Sequence, residues 1–431
     1  AGLCPICTVL PGAGRWLSPL QLYFVTRARR PRSPTAGRRK AGLRTGALPT
    51  LSPAPRQRLP SLPASIRHER TPRRLLLPPN PHAVLRALCS WHRAAPHSAR
   101  RAAAPAVRTA QPVAPAVQGC PSSIRKRIGA TEFGATFLPT IPVLQWAQHA
   151  REDEYQRLRR YGGAHGWKDI SWDVLKSSLS LLNASSSALL FDIRPLAARC
   201  TRCAVVGNGG ILRGSGMGPT IDAHDYVFRV NGAITEGFEH DVGSRTSFYV
   251  FSTNTMVNAL HSYAADGFRH PPQTPETCYV FLPDHDRDYL LLRAALSQQP
   301  VDSGQDEGVH PQQFFGEDLQ AGKFRMLHPD FIRYLRNRFL RSHILATPHW
   351  QLYRPSTGAV MLLTAIHTCD QVSAFGFMTP GYRAYSDHYF DRGHKEVHFF
   401  INHDLMMEMQ LWQRLQRSGI LWLYTGSEGT T

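Results

Sequence analysis

The sequence predicts an α/β domain built on a largely parallel β-sheet. Three observations carry this. Short apolar runs bounded by turn residues recur along the chain, as buried parallel strands do. Stretches with apolar residues at helical spacing lie between them. The first clear strand runs straight into a glycine cluster, as a strand does when it meets a loop at a sheet edge. No internal repeat is visible.

Taken in order, residues 145–160 and 171–183 read as helices, the second with Val174, Leu175, Leu179 and Leu182 on one stripe. Residues 203–206 form a buried strand, and 226–230, 247–251, 278–282 and 372–377 read as further strands. Helices are expected over 331–345, where Phe331, Leu335 and Phe339 repeat, over 359–367 after a Pro-Ser-Thr-Gly turn, and over 405–415.

The formal charge is +19, which at first suggests a nucleic-acid binder. Residues 1–130 hold 23 Lys+Arg against one acid, Glu69, and so carry +22. The remaining residues hold 27 Lys+Arg and 30 Asp+Glu, a net −3. The segment expected to fold is thus slightly acidic, which excludes a basic recognition domain there. The first third also holds 19 of the 33 prolines and is expected to be disordered, so the domains read as 1–130, basic and Pro/Ala/Arg-rich, and 131–431, folded. The chain opens on Ala1, which reads as an incomplete N-terminus, with a true basic stem as the other reading. No run of about 18 apolar residues occurs, and residues 16–26, interrupted by Pro19 and Gln21, are the nearest approach to an anchor.

Cys200, Cys203, Cys278 and Cys369 lie in the segment expected to fold, and Cys4, Cys7, Cys89 and Cys120 before it. Four cysteines with a sequon at Asn183-Ala184-Ser185 fit a secretory compartment and two disulfides, with three pairings open.

The glycine-rich block runs from Cys203 through Val205-Val206-Gly207-Asn208-Gly209-Gly210 to Gly218. Such a turn lets backbone N–H groups approach a phosphate, or it is simply tight. Leu212 breaks a GxGxxG fingerprint, and Ser215 stands where a P-loop has lysine. The block continues through Ile221-Asp222-Ala223-His224-Asp225 and Val227-Phe228-Arg229-Val230-Asn231 to Asp241-Val242-Gly243-Ser244-Arg245-Thr246. Polar residues this dense beside strand residues need partners, which a nucleotide would supply. Further on come Tyr353-Arg354-Pro355-Ser356-Thr357-Gly358, read either as a helix cap or as an anion site, and then Cys369-Asp370 through Phe375-Gly376-Phe377. His388-Tyr389-Phe390-Asp391 and His403…Glu408 follow.

These four motifs, in this order, resemble the long and short sialylmotifs and the HY(Y/F)(D/E) and HxxxxE signatures of the animal sialyltransferases, over residues 135–431. Gly166-Trp167-Lys168-Asp169-Ile170-Ser171-Trp172, Val242 to Tyr249 and Ile401-Asn402-His403-Asp404-Leu405 look most like the branch that sialylates O-6 of protein-linked GalNAc. The resemblance implies a Rossmann-like, GT-A-like variant domain and transfer of sialic acid from CMP-sialic acid to O-6 of GalNAc on Ser/Thr. It implies inversion, no metal, no cofactor beyond the donor substrate, a Golgi lumenal location and a membrane anchor that this chain does not display. It implies His403 as general base and His388 as stabiliser of the leaving phosphate. Asn208, Asn231, Ser356, Thr357 and Gly358 would hold the nucleotide, with Gly376 lining the site. Glu408 would orient His403 or serve the fold. A Cys203–Cys369 bridge is implied as well, and by elimination Cys200 with Cys278. Asp284-His285-Asp286 has the DxD form of metal-binding transferases, but is expected to be a solvated turn, or else an acceptor contact. The rival classes are a basic scaffold binding nucleic acid or membrane through residues 1–130, and a dinucleotide oxidoreductase, against which Leu212 argues.

Overall fold

The computed structural model describes residues 120–191 and 200–426. The basic segment up to residue 119, with the stretch at 16–26, lies outside the described residues. Eight strands form one sheet: β1 (Leu144–Gln145), β2 (Arg202–Val206), β3 (Tyr226–Val230), β4 (Phe248–Phe251), β5 (Cys278–Phe281), β6 (Phe324–Leu327), β7 (Gln371–Phe375) and β8 (Trp422–Leu423). Their spatial order is β1-β6-β5-β4-β3-β2-β7-β8. Only β1 is antiparallel to its neighbour.

Side chains alternate along each strand between two covered faces. Cys203, Val205, Phe228, Val230, Phe248 and Val250 face one core, and Ala204, Val206, Val227, Tyr249 and Phe251 face the other. The longer helices are α1 (Glu152–Leu158), α2 (Trp172–Leu179), α3 (Thr253–Ser262), α4 (Asp286–Ser297), α5 (Pro329–Arg338), α6 (Thr357–Thr368) and α7 (Leu405–Arg417). Helices α5, α6 and α7 contribute to the first core, and α2 and α4 to the second.

From β2 the chain steps outward through β3, β4, β5 and β6, then returns through α5 and α6 to β7 on the other side of β2. The strand order therefore reverses between β2 and β7. In open parallel sheets the crevice beyond the strand carboxyl ends at such a point is where ligands bind.

Several expectations shift. The helix expected over 331–345 ends at Arg338, with a separate 3-10 turn at His343–Ala346, and the one expected over 171–183 ends at Leu179. The helix expected from 145 starts only at Glu152. Its first residue, Gln145, closes β1 instead, its buried side-chain amide donating to the Tyr289 hydroxyl and the Leu327 carbonyl, and Ala147–His149 is a 3-10 turn. The cysteine pairing also differs. Cys203–Cys369 is present, tying β2 to the end of α6 with Cα atoms 6.2 Å apart. Cys200, however, is bridged to Cys120 and not to Cys278. Cys120 belongs to the folded unit: it is buried, and the adjoining helical turn Ile124–Arg127 sinks Ile124 into the core and donates from the Ile124 N–H to the Asp370 carbonyl. Asn183 of the sequon is exposed.

Candidate active site

Several candidate residues lie just past the carboxyl ends of the parallel strands. Asn208 follows β2, Asn231 follows β3, Ser252 follows β4, Asp284 follows β5 and Gly376 follows β7.

The turns after β2 and β7 are packed backbone on backbone. The Gly207 and Gly209 N–H groups donate to the Phe375 and Gly376 carbonyls at 2.8 and 3.0 Å. A Cβ on Gly376 would stand 2.5 Å from the Gly207 carbonyl oxygen, and its φ of +68° also favours glycine. Gly376 thus lets two turns meet. Further along, the Gly214 and Gly216 N–H groups point at the Asp241 carboxylate, at 2.6 and 2.9 Å. Among the described residues, only the Asn208 and Ile211 N–H groups between Gly207 and Met217 have no acceptor. The glycine-rich stretch is therefore mostly spent on its own fold, and the Asn208 and Ile211 N–H groups are what it leaves open.

The polar residues of the long block likewise find partners within the protein, against the expectation that a nucleotide supplies them. Asp222 accepts from the Ser244 and Arg245 N–H groups, and the buried Arg229 guanidinium donates to the Val242 and Arg245 carbonyls. Asn231 is the exception. It sits at φ +54°, its carbonyl takes the Tyr249 hydroxyl, and its side-chain Oδ1 is buried with no hydrogen-bond partner. A buried acceptor in that state can take a donor from an ordered water or from a ligand.

Asn208 is held by its amide, which donates to the Val230 carbonyl at 3.1 Å, and by its carbonyl, which takes the Tyr389 N–H at 3.0 Å. The next residue toward the N-terminus from Tyr389 is His388. Its N–H donates to the Asp391 carboxylate, its Nε2 stands 3.3 Å from the Tyr263 hydroxyl, and its ring stacks on Phe390. The Tyr263 ring in turn crowds Gly232, next to Asn231, where an added Cβ would meet it at 2.3 Å. His388, Asn208 and Asn231 are thereby linked in one cluster through Tyr389 and Tyr263.

A second group gathers at the start of α6. Ser356 caps the helix, its Oγ accepting from the Ala359 N–H at 3.0 Å. Its own N–H and hydroxyl donate to the two oxygens of Glu408, at 2.9 and 2.7 Å. Glu408 is buried in the first turn of α7, and burial pushes its carboxyl up to about 7 against the pull of those bonds. Ser356 is thus fully engaged. Thr357 and Gly358 are the first helical residues, whose N–H groups have no intrahelical acceptor.

His403 immediately precedes the α7 cap, Asp404. Its Nδ1 is 2.7 Å from the Arg354 carbonyl. A carbonyl only accepts, so Nδ1 carries the proton and the neutral ring presents Nε2 as a base. Burial, with the Arg354 charge beside it, pushes this histidine down to about 4. Arg354 closes the loop: its N–H donates to the Asn402 carbonyl, and its guanidinium pairs with Asp284. A pocket beside it is lined by Ala164, Ser252, Leu282, Asp284, Ile332, Arg354, Pro355, Thr357 and Val360. Asp284 is 8 % exposed and ion-paired, so the solvated-turn reading of the DxD is corrected at this position. Tyr263 was not singled out by sequence, and Arg354 lay inside the second motif without a role of its own. Arg354 directly precedes the Pro-Ser-Thr-Gly turn, which was the available signal.

A family model described as glycosyltransferase family 29 (sialyltransferase) matches residues 144–420. The chain belongs to this family. It is 52% identical over 293 residues to the alpha-N-acetylgalactosaminide alpha-2,6-sialyltransferase 2 of Mus musculus, covering 68% of this chain and 79% of that one. It is 40% identical over 316 residues to the alpha-N-acetylgalactosaminide alpha-2,6-sialyltransferase 1 of Gallus gallus, covering 72% and 56%. A crystal structure of a mammalian sialyltransferase aligns with a TM-score of 0.50 at 26% identity, over 72% of this chain and 98% of that one. The two clusters described above thus belong to a sialyltransferase fold, and the enzyme class expected from the four motifs holds.

Proposed function

We propose that this sialyltransferase moves sialic acid from CMP-sialic acid to O-6 of GalNAc linked to Ser or Thr of glycoproteins, with inversion and without a metal ion. The acceptor reading rests on the relatives named alpha-N-acetylgalactosaminide alpha-2,6-sialyltransferases. The observation that carries the mechanism is the His403 ring, whose Nδ1 is committed to the Arg354 carbonyl, leaving Nε2 as the proton acceptor.

In this reading O-6 of the acceptor attacks the anomeric carbon while His403 Nε2 takes its proton. The bond from that carbon to the phosphate oxygen breaks, its electron pair leaves with CMP, and one displacement inverts the centre. His388 donates a hydrogen bond to the departing phosphate. Asn208 and Asn231, with the Thr357 and Gly358 N–H groups at the start of α6, hold the nucleotide. Ser356 contributes by building that turn with Glu408, and Gly376 by letting the β2 and β7 turns meet. Two disulfides fit the lumen of the Golgi, an oxidising compartment. Among the described residues no helix is long and apolar enough to cross a membrane.

The test is to incubate the full chain with CMP-sialic acid and a GalNAc-Ser/Thr glycopeptide and to read the product linkage by NMR. Transfer to O-6 is expected. Transfer to another hydroxyl, or to a galactose alone, overturns the acceptor assignment.

A further inference from the structure

The Asp284–Arg354 pair is absorbed by neither cluster of assigned residues. Seventy positions separate the two in sequence, and the fold brings them together at the wall of the pocket that Thr357 also lines. Both partners are tightly held. The Asp284 N–H donates to the Asp288 carboxylate at 2.8 Å, and that buried carboxylate also takes the Thr253 N–H and hydroxyl at the start of α3. The turn carrying Asp284 is therefore anchored to the scaffold. Arg354 has its backbone gripped on both sides by the segment ahead of α7, through Asn402 and His403.

We infer that Asp284 is a positioning residue for the reaction: through Arg354 it fixes where the His403 ring stands and how much positive charge the ring feels. The chain of contact is continuous. The Asp284 carboxylate holds the Arg354 guanidinium, and the Arg354 carbonyl holds His403 Nδ1. Without the ion pair, the segment whose carbonyl holds His403 loses its tie to the turn after β5, and the ring is fixed less firmly against the acceptor oxygen. The other charged groups near His403 are already engaged. Asp404 takes the Ser342 hydroxyl at 2.6 Å and faces His343 at 3.2 Å, and Glu408 takes Ser356. Arg354 is thus the cation that acts on the ring, and Asp284 is its counter-charge.

This inference rests on His403 being the base, and the two are tested separately. His403→Ala alone tests the base: an active variant removes it. The pair is tested by a cycle of Asp284→Asn, Arg354→Met and the double variant, each assayed as the full chain over pH 4 to 8. Asp284→Asn should lower kcat about tenfold, with KM for CMP-sialic acid within twofold of the parent and partial recovery in Asp284→Glu. The double variant should be no worse than Arg354→Met, because Asp284 acts only through Arg354. Arg354→Met should move the acid limb of kcat/KM upward by part of the distance to the ordinary histidine range, since burial holds most of the shift, and Asp284→Asn should not move it upward, since it leaves the cation in place without its counter-charge. Circular dichroism and melting temperature identify any variant that has lost its fold. For a folded set, additive losses in kcat, or an acid limb that Arg354→Met leaves in place, overturn the inference and leave the pair a structural contact.

Discussion

Glu408→Gln separates the structural from the electrostatic role of the buried acid that holds the Ser356 turn. The parent carboxyl is raised from 4.5 to about 7, first by burial. A raised acid binds its proton more tightly folded than unfolded, so its contribution to stability is intact below about pH 4.5. That contribution is lost as pH climbs through 7. The difference, at 1.36 kcal/mol per pH unit, amounts to about 3 kcal/mol. Glutamine has the same shape and does not titrate. It keeps an acceptor for the Ser356 N–H, but its amide cannot accept from the Ser356 hydroxyl, a loss of about 1 kcal/mol. Against the variant, the parent should therefore melt higher at pH 5 and lose that lead by pH 8. The relative shift should be about 5 °C for a domain of this size. Differential scanning fluorimetry of both proteins at five pH values reads it. A gap between the two melting temperatures that stays constant with pH would show that Glu408 does not titrate in this window. Donor KM in the variant should rise severalfold as the Ser356 turn loosens, and an unchanged KM would detach that turn from the nucleotide.

Peptide mapping of the non-reduced protein should recover Cys120 with Cys200 and Cys203 with Cys369. Cys120→Ser should cost about 4 kcal/mol on the chain-entropy account of an 80-residue loop, read as a fall in melting temperature. Activity should persist in EDTA, because the Asp284 carboxylate is committed to Arg354, and loss on chelation that Mn²⁺ restores would contradict this.

The sheet was legible because its central strands are buried on both faces and so read as unbroken apolar runs, as in Val205-Val206 and Val227-Phe228. Elements that escaped lack such a signature. Helix α4 buries Tyr289, Leu290, Leu291, Leu292, Ala294 and Ala295, leaving little polar face to reveal a period of 3.6. Strands β1 and β8 are two residues each, too short for any pattern. At the site, histidines in short motifs stood out, whereas the reach of a side chain across 70 residues, as from Arg354 to Asp284, has no local mark. The density of polar residues from Asp222 to Arg245 was visible, but not its cause. They bind one another, and Asn231 Oδ1 is left without a partner. The Cys200 pairing failed for a related reason: a proline-rich, basic surround hid the fact that Cys120 and Ile124 are already core.

The sharpest test of the mechanism lies in the pH behaviour of the two histidines. His403, held near 4 by burial and by Arg354, is neutral throughout the physiological range, but so weak a base has little drive to take a proton from a hydroxyl. The donor changes that balance. CMP-sialic acid brings a phosphate and a carboxylate into the crevice, and nearby anions favour the charged form of an imidazole. The ring should therefore become more basic once the donor is bound. The acid limb of kcat/KM reports the free enzyme and that of kcat the complex. The limb of kcat should accordingly lie at the higher pH, by about one unit or more, as one anion at short range shifts a partner by about 1–3. His403→Ala should remove this limb and lower kcat about 10²–10⁴-fold, with CMP binding nearly unchanged. His388→Ala should weaken CMP binding and leave the limb in place, because the partner proposed for it is the donor phosphate. Should the limb of kcat coincide with that of kcat/KM, or disappear in His388→Ala and survive in His403→Ala, the proton is taken by a group other than His403.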